Sequence, residues 1–143
     1  MVLALGDVDN WIFDLDNTLY SADSGIFQQV HKLMGEFVAK NLNMELAEAK
    51  KLQAKYYKQH GTTLRGMMDN HGVDPDYFLE EVHKLDYSIV GPNQNLNDEL
   101  YKLEGRKIIY TNANKQHVLD VLEKINLTNH NFLTFLRNPR GIF

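Results

Sequence analysis

Two short runs of the chain read as β-strands, and a long helical stretch separates them. That arrangement constrains the fold more than any other feature. Trp11-Ile12-Phe13 and Lys107-Ile108-Ile109-Tyr110-Thr111 are apolar, β-branched or aromatic, and each runs straight into polar residues. Strands buried on both faces read as continuous apolar runs, and parallel neighbours need a long crossover between them. The pattern therefore predicts a parallel sheet with its polar, reactive groups at the carboxyl edge.

The stretch from about Gly25 to Pro92 is nearly all helical in pattern. Ile26, Val30, Leu33 and Phe37 repeat at helical spacing, which predicts a helix over 26–42. Asn43 is a possible cap for a second helix from Met44 to about His60, with Gly61 at the left-handed position beyond its end. Asp74-Pro75 predicts a third helix, with Asp as N-cap and Pro at its first position, running to about Lys84. Gly91-Pro92-Asn93 breaks the chain before a short helix from Asn95 to Leu103. After the second strand, Asn114 is an N-cap for a helix whose apolar face is Val118, Val121, Leu122 and Ile125. The order is strand, helical insertion, strand, helix. The expected division is a core of residues 1–25 and 93–143, with a helical cap of residues 26–92 over the sheet's carboxyl edge.

Composition excludes several functions. The net charge is −4 and no basic stripe is present, which argues against nucleic-acid binding through phosphate neutralisation. There is no cysteine, so disulfide and thiolate chemistry are out. Met1-Val2-Leu3-Ala4-Leu5-Gly6 lacks a basic leader and meets Asp7 and Asp9 too early for a signal peptide. No apolar run reaches membrane-spanning length. The expectation is a soluble, cytoplasmic protein that binds neither membrane nor nucleic acid.

Asp14 and Asp16 end the first strand. Side chains at i and i+2 of a strand point to one side, so both carboxylates would face one small volume while Leu15 faces the other way. Such a pair needs a counter-charge, either a metal or a cationic side chain. Chemistry can use it: one carboxylate attacks an electrophile such as phosphorus, and the other passes a proton to and from oxygen. Mg²⁺ suits such a site because it takes oxygen ligands and carries phosphate. The plain alternative is a pair of aspartates that end a strand and cap a turn.

The longer string is more specific. Phe13-Asp14-Leu15-Asp16-Asn17-Thr18-Leu19 resembles the first motif of the haloacid dehalogenase-like hydrolases, and Ile108-Ile109-Tyr110-Thr111-Asn112-Ala113 resembles their second. "DNTLY", "YYKQHGTTLRGMM" (56–68) and "VHKLDYS" (82–88) are similar to the pyrimidine 5′-nucleotidase branch. The resemblance covers residues of about 10 to 130. It implies an α/β fold, a Rossmann-like parallel sheet core, here incomplete, with an inserted α-helical cap. It also implies a Mg²⁺-dependent phosphatase that hydrolyses small phosphate monoesters, pyrimidine nucleoside 5′-monophosphates above all, through an aspartyl-phosphate. By resemblance, Asp14 is the nucleophile and Asp16 the general acid/base. Both belong to the metal site, Asp16 through its backbone carbonyl. Thr111 holds the phosphoryl group, Asn112 shapes its pocket, and Arg65 in the cap is a candidate to meet substrate. Asp16 favours phosphate transfer over halide displacement, because dehalogenase members lack that second aspartate. A receiver-like switch fits less well, because receiver domains lack a long helical cap.

Two further motifs of the family, one with a lysine and one with one or two acidic residues, have no counterpart after Lys124. "INLTNHNFLTFLRNPRGIF" contains no lysine, aspartate or glutamate. Arg137 or Arg140 is available as a substitute cation, since an arginine fork binds phosphate. The tail admits three explanations: a frameshifted or stopped gene product, a fragment, or a short natural relative. The alternative function is accordingly a catalytically impaired member that folds in part, or binds ligand without turnover. With two strands, an apolar sheet edge would be open. Either 132–136 covers it as a further strand, or a second copy of the chain does, giving a homodimer.

The remaining features have simple readings. The six histidines lack metal-ligand spacing and read almost throughout as surface or loop residues. Tyr56-Tyr57 and Met67-Met68 read as packing residues. Glu45, Glu48, Lys50, Lys51 and Lys55 read as a solvated helix face.

Overall fold

The computed structural model of the chain describes residues 8–137. It is mixed α/β, with a small three-stranded parallel sheet and six α-helices among the described residues. The chain divides into two compact units, one holding residues up to Ile26 together with Asp86–Arg137, the other centred on Phe27–Leu85.

In the first unit, β1 (Asn10–Phe13), β2 (Arg106–Thr111) and β3 (Leu133–Leu136) lie side by side in the order β1-β2-β3. Both pairings are parallel: Ile12 lies opposite Ile108, and Ile108 opposite Leu133. The third strand falls in the 132–136 run, so this stretch covers the outer edge of β2 as one of the two alternatives anticipated. The arrangement is consistent with part of a Rossmann-like core. Before β2 comes α5 (Gln94–Lys102), and α6 (Lys115–Lys124) links β2 to β3. Leu96 and Leu100 of α5 line a depression with Trp11 and Phe13, so α5 covers the face that these two residues share with Ile109. Ile109, Val118, Val121, Leu122, Ile125 and Leu127 are buried. The opposite face stays open: Ile12, Tyr110, Leu133 and Phe135 are all exposed there.

Local chemistry accounts for the helix ends. Asn114 accepts from the His117 N–H at 2.9 Å and starts α6, as its position predicts. Asn93 caps α5 in the same way, through the N–H of Leu96.

The second unit is helical. It contains α1 (Ile26–Leu42), α2 (Leu46–His60), α3 (Thr63–His71) and α4 (Pro75–Val82). Its core is Phe37, Val38, Ala49, Tyr56, Leu64, Met67, Val73, Phe78 and Val82. Asp74 accepts from the N–H of Tyr77 with Pro75 next to it, the cap that the dipeptide predicts. Gly61 ends α2 at φ 82°, where a left-handed residue is required.

Two local expectations are corrected, and one helix is added. Asn43 does not cap α2. It is itself left-handed at φ 49°, the next N–H (Met44) closes α1 on the Ala39 carbonyl at 3.0 Å, and Glu45 becomes the N-cap. Tyr57 does not pack; it is exposed, and only Tyr56 is buried. Residues 63–71 form a helix that their mixed pattern did not announce. It begins at Thr62, whose hydroxyl accepts from the N–H of Arg65.

Candidate functional site

Parallel strands bring their carboxyl ends to one edge. The residues following β1, β2 and β3 are Asp14, Asn112 and Arg137, and all three line one cavity of about 290 Å³ with Ile12, Tyr110 and Thr111. The turn after β1 is locally closed. The Leu15 carbonyl accepts from the N–H groups of Thr18 and Leu19 at 3.2 and 3.0 Å, and Asn17 is left-handed at φ 60°. Leu15 and Leu19 are buried beneath this turn and anchor it. Asp14, on its solvent side, is exposed.

Thr111 ends β2 and is buried. Its Oγ1 accepts from the N–H of Ala113 at 3.2 Å, and the hydroxyl proton remains available to donate toward an oxygen. Its carbonyl accepts from the Arg137 N–H at 2.7 Å, which ties the end of β3 to the end of β2. Arg137 thus stands on the wall that Asp14, Thr111 and Asn112 share. Arg140, the other cation considered, lies outside the described residues.

Asp16 is not among the residues lining that cavity. Its Oδ1 accepts from the hydroxyl of Tyr20 at 2.6 Å and lies 2.7 Å from Nε2 of His117. On the other side of the imidazole, Nδ1 is 2.8 Å from the hydroxyl of Tyr87. Burial, followed by the charge of Asp16, pushes the Tyr20 phenol well above its usual range. Burial, with Asp120 and Asp16 behind it, does the same for Tyr87. Both phenols therefore keep their protons. The strand itself ends at Phe13, so the two aspartates follow the turn rather than a continued strand alternation.

Arg65 belongs to the other unit. There its Nε is 3.0 Å from the Asp69 carboxylate, which His60 Nδ1 also approaches at 3.2 Å. Among the described residues, no three His, Cys, Asp or Glu side chains gather in a way that would hold a metal ion. Among the residues lining the cavity, Asp14 supplies the carboxylate, with the Thr111 hydroxyl and the Asn112 amide oxygen as neutral oxygen donors. Mg²⁺ accepts such a sparse shell, because it keeps several waters and binds through one or two carboxylates plus phosphate oxygens.

His117 is the residue that sequence reasoning passed over. It is nearly fully buried, contrary to the surface reading given to most of the histidines, and His130 is buried too. A signal existed. His117 lies one position before Val118 and four before Val121, on the flank of the apolar face of α6. Tyr87 lay within the "VHKLDYS" string without a role.

No protein-family model matches the chain. The chain is similar to Phosphate metabolism protein 8 of Saccharomyces cerevisiae, at 26% identity over an alignment that covers 76% of this chain and 37% of the relative. The chain therefore spans little more than a third of the length of that relative. Among the described residues, no helix is long and apolar enough to cross a membrane.

Proposed function

We propose that this chain carries the nucleophile half of a phosphomonoesterase site, acting on small phosphate esters and foremost on pyrimidine nucleoside 5′-monophosphates. The observation that supports it is the cavity at the carboxyl edge of the sheet, where Asp14 shares a wall with Thr111, Asn112 and Arg137. The distant likeness to a yeast protein named for phosphate metabolism points the same way.

In this reading an Asp14 oxygen attacks phosphorus and the P–O bond to the leaving group breaks. The leaving oxygen takes its proton from Asp16. Water then attacks the phosphorus of the aspartyl-phosphate, the P–O bond to Asp14 breaks and a water proton passes to Asp16, which frees inorganic phosphate and restores the Asp14 carboxylate and the Asp16 carboxylic acid. The Thr111 hydroxyl and the Asn112 amide hold phosphoryl oxygens, and the Arg137 guanidinium offsets their charge. Mg²⁺, held by Asp14 and the Asp16 carbonyl, would supply further charge neutralisation at the phosphoryl group.

The test is inorganic phosphate release from uridine 5′-monophosphate and from p-nitrophenyl phosphate with Mg²⁺. Turnover lost in Asp14→Asn supports the proposal, and turnover that survives this change overturns it. A second reading, ligand binding without turnover, is favoured by the place of Asp16, which is not among the residues lining the cavity with Asp14. It predicts saturable binding of phosphate or nucleotide with no phosphate release.

A further inference from the structure

His117 reaches Asp16 across 101 positions of sequence, with a buried imidazole between two oxygen partners. We infer that His117 is a positioning residue: clamped by the Tyr87 hydroxyl, its ring holds the Asp16 carboxylate in a single orientation for proton transfer. The inference rests on the phosphomonoesterase reading for its catalytic meaning, and on geometry alone for the clamp.

The hydrogen-bond logic sets the direction of each bond. Asp16 Oδ1 already accepts from the Tyr20 hydroxyl, so Nε2 of His117 carries the hydrogen that faces this oxygen at 2.7 Å, and the proton that Asp16 transfers is carried on Oδ2. With the ring hydrogen on Nε2, Nδ1 is the acceptor, and the Tyr87 hydroxyl, which keeps its proton, donates to it at 2.8 Å. The Tyr20 hydroxyl donates to the same Oδ1 at 2.6 Å. Two donors converging on one oxygen set the plane of the carboxylate. Asp16 needs this support. It sits in a turn beside left-handed Asn17, and its side chain is 25% exposed. A proton-shuttling group loses efficiency once its geometry drifts by about half an ångström.

The ring is held from its far side as well. Tyr87 packs against it with centroids 5.6 Å apart and planes at 45°. Asn114, the N-cap of α6, accepts from the His117 backbone N–H at 2.9 Å and fixes where the side chain starts. A buried histidine with both nitrogens occupied could serve the fold alone, so the experiment must separate that role from positioning.

The test uses the full chain with Mg²⁺ and three variants. His117→Leu removes the donor, His117→Gln can return an amide N–H to the Nε2 position, and Tyr87→Phe removes the hydroxyl of the outer clamp. The expected result is a fall in kcat of about 10- to 100-fold in His117→Leu with KM within a factor of two, and recovery of most of it in His117→Gln. Tyr87→Phe should lose several-fold in kcat with an unchanged melting temperature. Equal losses in His117→Leu and His117→Gln, or losses in KM alone, would overturn positioning. A readout independent of turnover is the ¹⁵N–¹H spectrum of the imidazoles. It should show His117 as the Nε2–H tautomer, with that proton shifted downfield in wild type and shifted back in Asp16→Ala. An Nδ1–H tautomer would overturn the clamp even in an active protein. If wild type releases no phosphate from any ester, the catalytic reading falls, and the spectrum alone decides whether His117 orients Asp16.

Discussion

The backbone N–H of Arg137 donates to the carbonyl of Thr111 at 2.7 Å, so the last described residue of the sheet unit is tied to the residue that ends β2. The consequence is electrostatic. Arg137 joins Asp14, Thr111 and Asn112 around one cavity and brings a guanidinium to its wall. Replacing Arg137 with Ala should weaken binding of inorganic phosphate or orthovanadate about tenfold, measured by titration calorimetry. Arg137→Lys should recover only part of it, because an ammonium lacks the planar fork that matches two phosphate oxygens. Equal affinities in wild type and Arg137→Ala would remove Arg137 from the site.

Leu15 is fully buried between the two aspartates and accepts the N–H bonds that close their turn. Leu15→Ala should cost about 2–5 kcal/mol in urea unfolding, by lost burial plus the cavity left behind. A cost below about 1 kcal/mol would show that the turn is not anchored by this side chain.

Gly66 lies inside α3, where alanine is normally the better helix former by about 1 kcal/mol. Here a Cβ would fall 2.3 Å from Cγ of Tyr56, whose ring is buried and whose hydroxyl lies 2.6 Å from His71 Nε2. Gly66→Ala should therefore destabilise the helical unit, by about 1–3 kcal/mol, since overpacking outweighs propensity. Thermal unfolding decides it: a raised Tm would mean that Tyr56 moves aside at little cost.

Burial, with the charge of Lys107 as the smaller cause, holds the His130 imidazole below its ordinary value. The unfolded chain therefore binds a proton that the folded chain resists. Stability is unaffected by this group above the ordinary value near 6.5 and falls as pH drops below it, down to the folded value. Wild type should lose a few degrees of Tm between pH 7 and pH 5.5. His130→Asn should show a shallower slope over the same window, whatever its absolute stability. Parallel slopes in the two proteins would refute the assignment.

Local rules carried the reading of this chain a long way. The helix over 26–42 has the limits that its apolar spacing predicts, and Asp74-Pro75, Asn114 and Gly61 mark helix ends as their chemistry requires. The two strands were legible because each is an apolar run that stops at polar residues. Each of these signals is complete within a few residues: a side chain reaches the next turn, or a cap reaches an N–H three positions on.

Tertiary structure decided what depends on partners distant in sequence. Asn43 is a good capping residue, yet the closing turn of α1 takes it and leaves Glu45 to begin α2. The 132–136 run becomes a strand because β2 offers it an edge, and that pairing carries Arg137 to Asp14. His117 meets Asp16, and Tyr87 meets His117, only once α6 and the short 3-10 turn over residues 87–89 are packed in the sheet unit. The sequence by itself therefore determined the elements and the aspartate motif, whose causes are local. Which side chains surround those aspartates follows from strand register and helix packing, and these bring together residues whose separation along the chain leaves no local trace.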